Sequence, residues 1–190
     1  MKAKVLITLT ICALAFTMKA QRNTPFSSSI RTLRTFVAER PTAPPIIELS
    51  SGEHIAVEFD YLSHEYHRFL YRIEHCDADW NVSEDLFESD YLSGNNGEEP
   101  IDQETQSLNT MQQYTHYALR LPNERIGITL AGNYKLTLID DTEGEPQPVA
   151  QAFFTVVNPK VTISATASTD TEIDRNDSHQ QLTVRLNFNQ

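Results

Sequence analysis

The chain of 190 residues has two cysteines, six glycines and one tryptophan, and beyond its first twenty residues no apolar run long enough to cross a membrane. Each shortage excludes something. Six glycines leave little material for the tight loops that cradle phosphates or oxyanions, and G-x-S-x-G, a phosphate-binding glycine loop and H-E-x-x-H are all missing. Positive charge is scarce too: 15 Lys and Arg against 26 Asp and Glu give a net charge of −11. Such a surface repels phosphate backbones and anionic headgroups, which excludes nucleic acid and non-specific membrane binding. No segment shows the 3.6-residue apolar period of an amphipathic helix.

The N-terminus sets the expected compartment. Lys2 and Lys4 precede an uncharged stretch over 5–16, and Thr17-Met18-Lys19-Ala20 ends on a small residue. This is the layout of a secretory signal peptide over 1–20, too short to span a bilayer as a stable helix. Leu9-Thr10-Ile11-Cys12 fails as a lipoprotein box because Ile11 is bulky and the apolar run continues past Cys12. Cleavage after Ala20 removes Lys2, Lys4 and Lys19, taking the net charge from −11 to −14. It also leaves Cys76 alone, so no intrachain disulfide can form.

From residue 21 onward the chain reads as a series of short strands. Residues 21–29 are polar and form an extended arm. Ile30–Val37 and Ile55–Tyr61 read as strands, the second with clean alternation. Further strands are expected at 68–75, 114–121, 126–130, 134–139 and 150–157, and the three prolines of 41–45 favour an extended crossing. Turns fall at Ser51-Gly52, Pro122-Asn123, Gly132-Asn133 and Thr142-Glu143-Gly144. The pattern describes an all-β chain: an immunoglobulin-like antiparallel β-sandwich over 30–157, with Tyr134 at the position of a corner tyrosine by analogy. Asn158-Pro159 breaks the last strand, and 160–167 and 182–188 alternate again around a polar stretch at 168–179. Two strands do not make an independently stable unit, so 158–190 reads as the opening of a second β domain, cut short.

The longest irregular stretch, 77–113, holds ten carboxylates and no Lys or Arg. Loops of this length are functional or disordered. Asp77, Asp79, Trp80 and Tyr91 are its candidate partner-interface residues, the rings as anchors and the carboxylates steering a basic partner. The catalytic and metal alternatives are weak. His64 and His67 sit three apart at a strand entry, where side chains point to opposite faces, and His75 and Cys76 diverge likewise. Cys76 with His116 as base would need an oxyanion site that the sequence does not supply. Asp77-Ala78-Asp79 lacks the glycine and distal glutamate of an EF-hand loop. No catalytic residue, metal ligand or cofactor is assigned. Cys76 is expected to be buried as a small apolar side chain.

Three blocks carry a resemblance. They are Tyr71-Arg72-Ile73-Glu74-His75-Cys76-Asp77-Ala78-Asp79-Trp80, then Asn109-Thr110-Met111-Gln112-Gln113-Tyr114-Thr115-His116-Tyr117, then Ala131-Gly132-Asn133-Tyr134-Lys135-Leu136. In that order they resemble the N-terminal domain of the type IX secretion system plug protein of Bacteroidota. The resemblance implies a non-enzymatic protein of the periplasm, associated peripherally with the outer membrane. Its implied partner is the giant outer-membrane β-barrel translocon, whose pore it closes from the periplasmic side. A carbohydrate- or protein-binding β-sandwich module of a secreted protein is the alternative, with Trp80, Tyr91, Tyr114 and Tyr117 as an aromatic platform.

Overall fold

Apolar side chains at every second position decide which way each strand faces. In Ile55–Tyr61, Ile55, Val57 and Phe59 are buried while Glu58 and Asp60 turn outward to solvent. A computed structural model describes residues 22–94, 97–169 and 179–188. The expected signal peptide and the polar stretch within 170–178 lie outside the described residues.

The elements in chain order are β1 (Thr24–Pro25), β2 (Ile30–Val37), β3 (Ile46–Glu48), β4 (Ile55–Tyr61), β5 (Phe69–Cys76), α1 (Glu88–Tyr91), β6 (Leu92–Gly94), β7 (Glu99–Pro100), β8 (Gln103–Gln106), β9 (Thr115–Leu121), β10 (Ile126–Ile128), β11 (Gly132–Asp140), β12 (Gln147–Val157), β13 (Val161–Ser168) and β14 (Gln181–Phe188). One sheet runs β2-β4-β9-β8, all antiparallel. The facing sheet runs β12-β11-β5-β7, with β1 and β3 both along the outer edge of β12 and β3 parallel to it. This is the strand order of an immunoglobulin-like sandwich, four strands over a sheet built on three central ones.

Aromatic rings join the layers. Phe59 of β4 stacks on Tyr117 of β9 at 5.2 Å, and both meet Phe69 of β5 edge-on, at 5.2 and 4.9 Å. A second group forms around Tyr134, stacked on Phe154 at 5.3 Å and met edge-on by His75 at 5.3 Å. The Tyr134 hydroxyl donates to the Leu130 carbonyl at 2.6 Å. That bond four residues back along the chain is the geometry of a tyrosine corner. Gly132 is required beside it, since a β-carbon there would collide with Nε2 of His75.

Two expectations change. The prolines of 41–45 do cross between the sheets, but they deliver the chain into β3, which pairs parallel with β12 over Ile46–Glu48. The stretch 77–113 is not irregular throughout: it carries α1, β6, β7 and β8. Buried Tyr91, Leu92 and Ile101, with Leu86 packed on the core, fold it back against the sandwich. Beyond Val157, β13 and β14 pair antiparallel over their full length and every residue in them is exposed.

Tyr134→Phe leaves the Leu130 carbonyl without its partner at a part-buried site and should lower stability by about 1 kcal/mol, read as a shift of denaturation midpoint at unchanged slope. Gly132→Ala forces apart His75 and β11 and should cost about 1–3 kcal/mol in the same assay. At the surface, the backbone N–H and the ring of His54 bond to Glu39 and hold its pKa at about 2, against an ordinary 4.5. A carboxyl depressed in the folded state contributes stability above its unfolded pKa. The Glu39 contribution is therefore present above about pH 4.5 and is lost as the pH falls towards about 2. Carboxyl-carbon NMR should show that low midpoint, and a midpoint near 4.5 would contradict the pairing.

Candidate functional site

The site grows from the end of β5. There the chain leaves the sheet through a turn closed by Asp77, whose carboxylate accepts the N–H groups of Asp79 and Asn81 at 2.8 and 2.9 Å and the Asn81 amide at 3.3 Å. These bonds, the Asn81 N–H first among them, hold the Asp77 carboxyl below its usual pKa. The Asn133 amide on β11 donates to the Asp77 carbonyl at 3.0 Å and ties the turn to the sheet. Trp80 sits at the turn with φ of 66°, a left-handed conformation that such a bulky side chain adopts only where its surroundings impose it. Its ring meets Phe153 of β12 edge-on at 5.5 Å, on the face of that strand opposite the core.

The chain then returns along β5. Cys76 bridges to Val82, Ser83 donates its N–H to the His75 carbonyl at 2.9 Å, and the Ser83 hydroxyl lies 2.9 Å from Nδ1 of His75. Nε2 of His75 is buried without a hydrogen-bond partner. Tyr91 follows in α1, its ring 5.7 Å from His75 and 6.1 Å from Tyr134. Farther on, Arg125 binds Asp102, lies 3.7 Å from Glu99 and donates to the Pro100 carbonyl at 3.2 Å, fastening the far end.

The four expected interface residues therefore have different roles. Asp77 closes the turn. Asp79 is exposed, and Trp80 is half-buried against Phe153. Tyr91 is a correction: it is 8% exposed and packs in the core, so it offers no anchor to a partner. The exposed ring of this stretch is instead Phe87, 79% exposed among Glu84, Asp85, Glu88 and Asp90. The Asp90 carboxylate accepts the Phe87 N–H at 2.9 Å, which fixes the backbone from which the ring projects. Phe87 was missed because hydropathy alone does not say which of Leu86, Phe87, Tyr91 and Leu92 turns inward. Leu108 and Met111, within or beside the second family block, are also fully solvent-facing, as is Tyr66 nearby. Bonds from Ser107 and Gln106 to His64 lace these two loops together at one end of the sandwich.

The other candidate residues scatter. His64 bonds to Ser107, and His67 to Asp140 at 3.1 Å. His116 binds Asp60 at 2.7 Å on the sheet that does not contain Cys76. Among the described residues no group of three His, Cys, Asp or Glu side chains could hold a metal ion. The aromatic platform is a second correction, because Tyr91 and Tyr117 both lie in the core. An open depression of about 310 Å³ beside β7–β9 is lined by Arg125, already engaged by Asp102 and Glu99.

Geometry of this kind defines an all-β sandwich domain: loops held on two packed sheets, with exposed rings set among carboxylates. The chain belongs to the family of the type 9 secretion system plug protein, first domain, whose model matches residues 30–158. It is also similar to a solved structure of a hypothetical protein from Parabacteroides merdae, at 37% identity and a TM-score of 0.71. That likeness covers 90% of this chain and 42% of the other, so the chain spans less than half that protein's length. No curated protein matches the chain. Among the described residues no helix is long and apolar enough to cross a membrane.

Burial pushes the Cys76 thiol pKa up, and the side chain is 2% exposed. The thiolate is the reactive form, so a thiol reagent should react with native protein far more slowly than with denatured protein. Equal rates would show that the 77–83 turn does not cover Cys76.

Proposed function

We propose that this chain is a non-catalytic component of the type 9 secretion system, exported by a signal peptide over 1–20. In the periplasm, at the inner side of the outer membrane, it closes the pore of the β-barrel translocon. The observation that carries this reading is membership of the plug first-domain family over most of the sandwich. The fold supports it. A stopper has to occupy an opening by shape, and a sandwich cross-packed by rings resists deformation. Release needs only a competing contact that favours the open state.

Asp79, Trp80 and Phe87 form the docking surface in this reading, with the acidic excursion steering a basic rim on the partner. In this reading β13 and β14 are the opening strands of a second β domain, since a hairpin exposed on both faces is not stable alone. The test is an affinity pull-down of the tagged chain from detergent-solubilised outer membranes of its own host. It should recover a very large β-barrel protein. Phe87→Ala should reduce that recovery about tenfold or more, as hot-spot truncation does, without changing thermal stability. If the folded wild-type chain recovers no barrel protein, the plug reading fails.

A further inference from the structure

One pole of the sandwich carries a tip built from two bonded loops, 62–68 and 107–114. Ser107 is its hub. The Ser107 N–H donates to the Tyr114 carbonyl at 2.9 Å, and its hydroxyl oxygen takes the Tyr114 N–H at 3.0 Å and lies 2.9 Å from Nε2 of His64. The Thr110 hydroxyl donates to the same oxygen at 3.0 Å, and Asn109 turns the chain at φ of 56°. The backbone is fixed from within, yet Tyr66, Leu108 and Met111 are 73, 84 and 107% exposed. Every residue from Thr105 to Tyr114 is uncharged, in a chain of net charge −11.

The termini of the domain lie away from this tip. Tyr61 lies 4.1 Å from His67 and 5.5 Å from Phe69 between ring centroids, which places the tip at the pole where Phe69 pairs with Asp140. β12 begins at that pole, with Gln147 beside Asp140, and ends 11 residues on at Val157. At about 3.3 Å per residue, Val157 is roughly 35 Å away. β1 runs antiparallel to β12, so the chain ahead of Thr24 also heads for the far pole. Whatever precedes β1 or follows β12 departs from the end opposite the tip.

From this we infer that the tip is a lipid-insertion site: Leu108 and Met111 enter a zwitterionic phospholipid bilayer, with the Tyr66 ring at the level of the headgroups. Three observations favour lipid over a protein pocket. The first is area. Three such side chains present on the order of 400 Å², about half of what each partner gives to a stable protein interface. The second is chemistry. Leucine and methionine need no particular partner in hydrocarbon, and tyrosine has an apolar body with a polar end that suits the boundary with water. The third is charge. An acidic chain gains nothing from anionic headgroups, and Glu65 and Glu104 border the tip in sequence, but an uncharged tip enters a neutral surface without attraction between charges. Because the loops are already fixed, insertion costs little further ordering. The inference does not rest on the translocon reading.

Vesicle flotation tests this with the chain from residue 21, which keeps every described residue and removes the apolar stretch over 5–16 that would bind lipid by itself. Vesicles of phosphatidylcholine and phosphatidylethanolamine should carry the protein. Leu108→Gln combined with Met111→Gln should lower the partition coefficient by about tenfold or more, at unchanged thermal stability. Leu186→Asp, on the β13–β14 hairpin, should leave it unchanged, which separates the tip from the exposed apolar residues of that hairpin. Adding phosphatidylglycerol should weaken binding in about 0.01 M salt and less so in about 0.15 M, where the screening length falls from about 30 to about 8 Å. In Met111→Trp, emission from the tip should shift to shorter wavelength and be quenched by brominated lipid. Trp80 follows Cys76 at the far pole and should not respond. A wild type that does not float with the vesicles, or binding indifferent to the paired substitution, overturns the inference.

Discussion

The structure depends on aromatic packing between two sheets that no covalent bond joins. Immunoglobulin domains of antibodies cross their core with a disulfide. Here the sandwich contains one cysteine, and Cys76 lies outside the core cluster. Phe59, Phe69 and Tyr117 occupy the crossing instead, three rings from three strands and both sheets, in one stacked and two edge-on contacts. Such pairs are worth about 0.5–1.5 kcal/mol each beyond the area they bury. Tyr134 repeats the arrangement at the other end and adds a hydrogen bond that fixes the approach to β11.

The same economy explains how the acidic excursion is held. Its ends are fastened to β5, at Cys76 with Val82 and at Leu70 and Tyr71 with Pro100 and Glu99. Between them Tyr91 is inserted beside His75 and Tyr134. A segment with ten carboxylates is held to the sandwich by its few apolar residues, placed where the core can take them, and by Arg125 at its far end. At the turn, the Asp77 carboxylate is satisfied by the turn's own N–H groups.

Strands were legible in the sequence where alternation is clean, and also in Ile30–Val37, where Arg31 and Arg34 blur it. Ile30–Val37 and Ile55–Tyr61 match residue for residue, and the sandwich class, the family and the place of Tyr134 follow from patterns local to the chain. Less legible was whatever depends on pairing between distant segments. Thr24–Pro25 and Ile46–Glu48 are strands only because β12 offers them an edge. Gln103–Gln106 has no apolar residue at all and is a strand only because β9 is beside it. The site suffered in the same way. Aromatic type picked out Trp80 and Tyr91, but which ring faces water is settled by the one-turn α1, which turns Tyr91 inward and leaves Phe87 outside.

The rims of the sandwich carry a consequence for how it can meet another protein rich in β-structure. β12 has its free edge occupied by β1 and β3. β7 is two residues long and ends in Pro100, which has no N–H to offer. β2 is bulged between Arg31 and Arg34, with Thr32 at φ of 51°. β8 is four residues long and carries Glu104. All four rims are thus poor templates for an added strand. Recognition by backbone zippering, the route by which many sheets recruit peptides, is closed to this domain. A protein that engages it must read loops and side chains, which lets the two separate again without unravelling either.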